Sequence, residues 1–98
     1  MLQFLGDIGV YVPSRDAIKF TAVRSGFPVE CYVRRSALIA IGCQPSDDAA
    51  MLCTVFERQR ALFERVAAAK YAQGTTGSIG IGFPDVLSVI EEAAREPE

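Results

Sequence analysis

The chain contains 98 residues, which is enough for one domain with a single hydrophobic core. Half of the residues are hydrophobic and 22% are charged, and this balance excludes a chain that is disordered over most of its length. The net charge of -2 gives no general attraction to nucleic acid or to an anionic membrane surface.

Four strands are predicted in the first third of the chain. Residues 2–4 and 10–12 show short apolar alternations that end at Gly6-Asp7 and at Pro13. Residues 17–24 and 28–34 are longer alternating segments, and a two-residue loop at Ser25-Gly26 would pair them with their apolar side chains on one face. The predicted cross-strand pairs are Phe20 with Cys31, Ile18 with Val33, and Ala22 with Val29.

Two helices are predicted after this hairpin. Ser36 is the expected N-cap of a short helix that ends at Gly42, because glycine tolerates the left-handed conformation at a helix terminus. The principal helix is predicted from Ser46, as its N-cap, to Gln73. Its apolar stripe is expected to cover the sheet and consists of Leu52, Phe56, Phe63, Val66 and Ala67.

The principal helix is predicted to be longer than the sheet beneath it. About 26 helical residues extend about 39 Å, whereas seven strand residues extend about 23 Å. The apolar distal end of the helix therefore needs a partner, which is either the C-terminal segment or a second subunit. Residues 74–77 are expected to be a flexible connection, and Pro84 to start a final helix whose apolar positions are Val86, Leu87, Val89, Ile90 and Ala93.

The predicted fold is α+β and has two layers. An antiparallel sheet of three or four strands is covered on one face by the long helix, and a short helix and a C-terminal helix complete the fold. Residues 1–74 form the core domain, and residues 75–98 form a C-terminal extension that contains a helix and is not a separate domain.

One ordered set of core and turn residues extends from the hairpin into the long helix. In sequence order these residues are Phe20, Gly26, Cys31, Tyr32, Val33, Leu38, Gly42, Phe56, Arg60 and Ala67. Their spacing resembles DUF1488, a family of small bacterial domains of unknown function, and the similarity covers residues 2–73. Tyr11 stands where such proteins are expected to have tryptophan, and residues 77–98 extend beyond their usual length. The resemblance implies an α+β bacterial cytoplasmic domain and assigns no catalytic residue.

The composition argues against most enzyme and metal chemistry. The chain has no histidine, which is the commonest metal ligand and the commonest general base near neutral pH. Its three cysteines have no CxxC spacing and are expected to be reduced thiols. From the lack of histidine and of CxxC spacing, no enzymatic activity, no cofactor and no metal are expected. No apolar run is long enough to span a bilayer and no signal peptide is evident, so a cytoplasmic location is expected.

Three local features have an alternative functional interpretation. Cys31 could be a reactive thiol, but the strand alternation points it inward and favours a small core residue. The glycines of residues 77–82 match no complete phosphate-binding motif and favour a mobile connection or a short strand. Lys19, Tyr32 and Arg34 share the outer sheet face, which is either solvated, covered by a partner, or a weak platform for single-stranded nucleic acid.

The leading functional hypothesis is a non-enzymatic protein-interaction or self-associating module, with homodimerisation as the expected state. The surplus apolar surface of the long helix and the C-terminal segment is the basis of this hypothesis. Weak binding of single-stranded nucleic acid through the outer sheet face is the alternative. The candidate interaction surface comprises Lys19, Tyr32, Arg34, Arg60, Val66, Tyr71, Val86 and Ile90.

Overall fold

The computed structural model describes residues 2–74 and 77–95, with side chains as far as Glu92. Five strands and four helices lie in these residues. In chain order they are β1 (Gln3–Phe4), β2 (Val10–Val12), β3 (Ala17–Arg24), β4 (Phe27–Arg34), α1 (Arg35–Ile39), α2 (Ala49–Arg58), α3 (Arg60–Ala72), β5 (Ile79–Ile81) and α4 (Phe83–Arg95). Thr75 and Thr76 of the predicted flexible connection, and the side chain of Ala93, lie outside the described residues.

The hairpin of β3 and β4 is the centre of the sheet, and its predicted register is confirmed. Ser25 and Gly26 form the loop with φ of 49° and 84°, as a type I′ turn requires. Phe20 then lies opposite Cys31, and the other two predicted pairs also form. This register places Ile18, Phe20, Ala22, Cys31 and Val33 on the face that the helices cover, where all five are buried.

The rest of the sheet differs from the prediction in one pairing. β1 and β2 lie end to end along the free edge of β3, and both pair antiparallel to it. β5 pairs with β4 in parallel, so the sheet has five strands and is mixed rather than wholly antiparallel. The three helices between β4 and β5 form a crossover connection, which brings the chain back so that β5 runs in the same direction as β4.

The core lies between the inner sheet face and the helices. Three phenylalanine rings form its centre, with centroids 5.3 Å apart for Phe20 and Phe56 and 5.6 Å apart for Phe56 and Phe63. All three side chains are fully buried. The predicted apolar stripe of the long helical segment is buried throughout and includes Leu52, Val66 and Ala67 as well. No part of that stripe is left in water.

The prediction of one continuous helix from Ser46 to Gln73 is wrong. The segment breaks at Gln59, whose φ of -113° and ψ of 23° are not helical, and the chain continues as a second helix. The predicted N-cap is also wrong, since Asp48 rather than Ser46 accepts a hydrogen bond from the amide of Met51 at 2.9 Å. Two shorter helices can each follow the sheet, so the expected excess of helix length over sheet length is absent.

The two ends of the short helix α1 differ in how they are capped. Ser36 lies inside the helix and is not its N-cap; Arg34 holds that position without a side-chain hydrogen bond. The predicted role of Gly42 is confirmed, because its φ is 120° and the amides of Gly42 and Cys43 bond to the carbonyls of Ile39 and Leu38. This pattern is a Schellman motif, which satisfies carbonyl groups that the helix leaves unpaired.

The C-terminal helix α4 packs against α1 and α3. The ammonium group of Lys70 on α3 lies 3.0 Å from the Asp85 carboxylate on α4 and donates to the carbonyl of Gly80 in β5 at 2.6 Å. Of the two predicted partners for the distal end of the long helical segment, the internal C-terminal segment therefore occupies this position.

A second polar cluster joins the β2–β3 turn to the loop before α2. Arg35 binds the Asp16 carboxylate with Nε at 2.8 Å and donates to the carbonyl of Asp47 at 2.7 Å. Tyr11 donates to the same carboxylate at 2.7 Å. The hydrogen bonds from Arg35, and then from Tyr11, hold the pKa of Asp16 below its usual range. The cluster is a structural tie between two loops that are distant in sequence.

Among the glycines of the described residues, Gly9 lies nearest to core side chains, and its replacement by alanine tests this packing. A Cβ atom at Gly9 would lie 2.6 Å from Cε2 of Phe56 and 2.8 Å from Cγ2 of Ile18, and both of these side chains are fully buried. We expect Gly9→Ala to lower the free energy of unfolding by about 1–3 kcal/mol, as overpacking does. Urea unfolding followed by circular dichroism measures the difference.

Gly80→Ala is the matched control for Gly9→Ala. A Cβ atom at Gly80 would meet Nη2 of Arg34 at 3.6 Å, which is ordinary van der Waals contact. We expect this variant to be close to wild type. Equal stability of the two variants would contradict the close packing of Gly9 against Phe56.

Candidate functional site

The loop between β1 and β2 and the first residue of β2 present exposed apolar side chains. Leu5, Ile8 and Val10 are 58%, 79% and 58% exposed. We call these three residues the apolar ridge. Isolated apolar side chains are common on protein surfaces, whereas three large exposed ones within six residues are unusual. The ridge is therefore the first candidate for an interaction site.

The backbone beneath the ridge is held by the junction of α2 and α3. The Glu57 carboxylate accepts a hydrogen bond from the amide of Gly9 at 2.9 Å. Arg60 donates to the carbonyl of Asp7. The Asp7 carboxylate in turn accepts from the amide of Thr21 on β3 at 3.2 Å. We call Glu57 and Arg60 the clamp, since they bind the loop from both sides of Gln59.

Arg60 is the most extensively engaged side chain of the clamp. Its guanidinium carbon lies 5.0 Å from the centroid of the Phe56 ring, within the range of a cation–π interaction. Its Nε binds Glu57 at 3.1 Å, and its Nη1 lies 3.6 Å from Glu64 in an ion pair that is too long for a hydrogen bond. Only 18% of the side chain is exposed. Arg60 belongs to the predicted interaction surface, and these contacts engage its guanidinium within the chain itself.

The charge state of Glu57 depends on the clamp. The hydrogen bond from Arg60 and the one from the Gly9 amide hold the pKa of Glu57 below its usual range. The carboxylate is thus ionised at neutral pH, when it accepts both hydrogen bonds. The clamp thus fixes the loop backbone by hydrogen bonds to charged side chains, and the ridge remains exposed.

The predicted residues of the outer sheet face lie near one another, but they are not equally accessible. Tyr32 is only 8% exposed, because the Arg15 guanidinium lies 4.2 Å from its ring centroid. Its hydroxyl donates to Glu30 at 2.6 Å, and Lys19 lies 3.5 Å from the same carboxylate. Arg34 is exposed beside this group. The expectation of an open aromatic surface at Tyr32 is therefore wrong.

The remaining predicted surface residues are separated. Val66 and Val86 are buried in the core, so their assignment to an accessible interaction surface is wrong. The reason is that α4, which carries Val86, packs against α1 and against α3, which carries Val66. Tyr71 is half-buried below Arg24, whose guanidinium carbon lies 5.7 Å from the ring centroid. Ile90 is partly exposed on α4.

Little in the amino-acid sequence points to the ridge. Leu5 and Ile8 flank Gly6-Asp7, a turn signal, and neither belongs to a periodic segment. Glu57 has the pattern of an exposed helix residue paired with Arg60, and only the tertiary structure brings it to Gly9. An apolar residue on each side of a turn signal was the one available sign.

The described residues offer little for metal or thiol chemistry. Within residues 2–74 and 77–95 no group of three potential ligands forms a metal site, and the three cysteines are free. Burial, with a smaller effect of the nearby Asp7 carboxylate, raises the pKa of Cys31 to about 12. The Cys31 thiol is protonated at neutral pH and packs as an apolar core residue. None of the helices in the same residues is long and apolar enough to cross a membrane.

Comparisons with known proteins agree on one family. The sequence model of a family described as "Protein of unknown function (DUF1488)" matches residues 2–81. A crystal structure of a protein of unknown function from the same family, from Shewanella loihica PV-4, is similar with a TM-score of 0.71 and 22% sequence identity. The similarity covers 82% of this chain and 90% of that one, and at this identity it concerns the fold. No curated protein matches the chain.

The clamp predicts a pH-dependent contribution of Glu57 to stability. Because the pKa of Glu57 is lowered in the folded state, its contribution is complete above the ordinary glutamate pKa of about 4.3 and is lost as the pH falls through the lowered value. We expect Glu57→Gln to be less stable than wild type at about pH 7 and nearly equal to it at about pH 3. Urea unfolding at both pH values measures this difference.

Glu92→Gln is the control, since Glu92 is an exposed carboxylate on α4, far along the chain from the clamp. We expect its effect on the free energy of unfolding to be small at both pH values. A constant deficit of Glu57→Gln across the pH range would show that the charge of Glu57 does not stabilise the loop.

Proposed function

Because the chain belongs to the DUF1488 family, which is described only as of unknown function, we propose from its surface that it is a non-enzymatic protein-interaction module. Its partner in this proposal is a second copy of the same chain, bound through the apolar ridge. The supporting observation is that Leu5 and Ile8, on a loop whose backbone is fixed, and Val10, the first residue of β2, are more than half exposed.

Fixation of the loop favours association. The amide of Gly9 and the carbonyl of Asp7 are bound by the clamp, and the amide of Leu5 bonds to the carbonyl of Thr21 on β3 at 3.4 Å. A surface that is already ordered loses less conformational entropy on binding than a mobile loop does. Each ridge side chain that becomes fully buried contributes about 1–2 kcal/mol to association.

The position of the ridge suits a symmetric dimer. β1 and β2 pair with β3 on one side, and among the described residues no strand pairs with their other side. An open strand edge beside apolar side chains is a template for pairing with another chain. In a two-fold dimer the same patch serves both copies, so the ridge of one copy can face the ridge of the other.

The basis of this proposal differs from the length argument made from the sequence. The long helical segment is broken and its apolar stripe is covered, so it provides no surplus surface. On α4, Phe83, Leu87 and Ile90 remain partly exposed at helical spacing. This second apolar surface is less exposed than the ridge, and it serves as the comparison surface in the test below.

Binding of single-stranded nucleic acid through the outer sheet face has less support. Base stacking needs an accessible aromatic ring. The ring of Tyr32 is covered by Arg15, and its hydroxyl is bound to Glu30. We therefore retain self-association as the proposed function.

The substitution Ile8→Glu tests the ridge. Ile8 is the most exposed of the three ridge residues, so the variant should fold with an unchanged melting temperature. We expect wild type to have twice the mass of one chain at tens of micromolar, and Ile8→Glu to be monomeric, because a charge cannot be buried at a symmetric apolar interface without a partner. Analytical ultracentrifugation measures both masses.

Leu87→Glu is the matched control on α4, and we expect it to remain dimeric. A monomeric wild type would refute self-association. Dissociation by Leu87→Glu together with a dimeric Ile8→Glu would place the interface on α4 and refute the assignment to the ridge.

A further inference from the structure

A polar groove of about 440 Å³ lies on the outer face of the sheet, where β4 meets β5. Its volume is within the range of small-molecule sites. The groove belongs to different strands from the ridge, which lies on the loop between β1 and β2 and on the first residue of β2. The residues that line it are Arg15, Ala17, Tyr32, Arg34, Ser78 and Gly80.

The groove is positively charged in a chain whose net charge is negative. Two guanidinium groups line it, from Arg15 and Arg34, and no carboxylate is among its lining residues. Within the described residues, neither side chain forms an ion pair or a hydrogen bond; Arg15 makes a cation–π contact with Tyr32. Because the lining contains no carboxylate, both guanidinium groups would attract an anion that enters the groove.

The nearest carboxylate is already engaged. Glu30 accepts from the Tyr32 hydroxyl at 2.6 Å and lies 3.5 Å from the ammonium group of Lys19. The hydrogen bond from Tyr32, followed by the charges of Lys19 and more weakly of Arg15, holds the pKa of Glu30 below its usual range. The cluster of Glu30, Tyr32 and Arg15 fixes one wall of the groove and leaves the Arg34 guanidinium uncompensated.

The floor of the groove is open at Gly80. A Cβ atom there would lie 3.6 Å from Nη2 of Arg34, so this guanidinium extends over a position that has no side chain. Ser78, one residue before β5, adds a hydroxyl group at the rim. Arginine forks and a hydroxyl group are donors that suit the oxygens of a phosphate group.

We propose that this groove binds the phosphate group of a small phosphorylated molecule. A phosphate monoester carries a charge of about -1.5 to -2 at neutral pH, and its oxygens can accept hydrogen bonds from the guanidinium groups of both Arg15 and Arg34. A carboxylate has a smaller charge and fewer oxygens. This activity goes beyond self-association and uses none of the ridge or clamp residues.

A nuclear magnetic resonance titration tests the groove, with glycerol phosphate and inorganic phosphate as separate probes. We expect saturable shifts of the amide resonances of Tyr32, Ser78 and Gly80 in the full chain. Arg34→Gln should weaken binding about tenfold or more, as loss of a charge-assisted hydrogen bond does. The exposed Arg34 side chain has no partner in the described residues, so this variant should keep the wild-type spectrum elsewhere.

Arg65→Gln is the matched control, because it removes the same charge from an exposed position on α3. We expect it to bind glycerol phosphate as wild type does. Tighter binding of glycerol phosphate than of inorganic phosphate supports an organic phosphate ligand, and equal binding supports free phosphate. The proposal would be overturned if sodium chloride at equal ionic strength reproduced the shifts, or if Arg34→Gln and Arg65→Gln weakened binding equally. Neither outcome would bear on self-association, which the mass of the protein tests.

Discussion

The close approach of Gly9 to the Phe56 ring is the constraint on which the arrangement of this protein depends. It brings the β1–β2 loop onto the junction of α2 and α3, where only a residue without a side chain fits. The same approach places the Gly9 amide within reach of Glu57, and Arg60 reaches the neighbouring carbonyl of Asp7. An apolar contact and two charge-assisted hydrogen bonds thus act on one short stretch of backbone, and the exposed ridge is the outward side of that stretch.

The helix break at Gln59 allows residues on both sides of it to bind the β1–β2 loop. In α2, Glu57 points its carboxylate at the loop, and in α3, Arg60 does the same with its guanidinium. Gln59 is neither glycine nor proline, and its amide bonds to the carbonyls of Val55 and Phe56. The interruption is therefore a tertiary effect, since local propensity would allow the helix to continue.

Local patterns predicted those parts of the fold that local interactions determine. Ser25-Gly26 and the alternation around it fix the hairpin register, because a two-residue turn allows one pairing that buries Phe20 and Cys31 together. The parallel pairing of β5 depends on residues nearly fifty positions apart, and its Ile-Gly-Ile sequence is too short for a strand signal. Of the ridge and the clamp, Arg60 alone belongs to the interaction surface predicted from the sequence, whereas Leu5 and Ile8 lie outside every periodic segment.

The two proposed surfaces also differ in how the fold builds them, and this difference makes them independent. The ridge is apolar, and its order comes from Glu57 and Arg60 beneath it, so the proposed self-association would depend on the clamp. The groove is polar, and its order comes from the stacking of Arg15 on Tyr32 and from the pairing of β5 with β4. The hydrophobic contact would be weakly sensitive to salt, whereas the contact between guanidinium groups and phosphate would weaken as salt screens it. Ionic strength therefore separates the two properties physically, because one depends on removal of apolar surface from water and the other on charge.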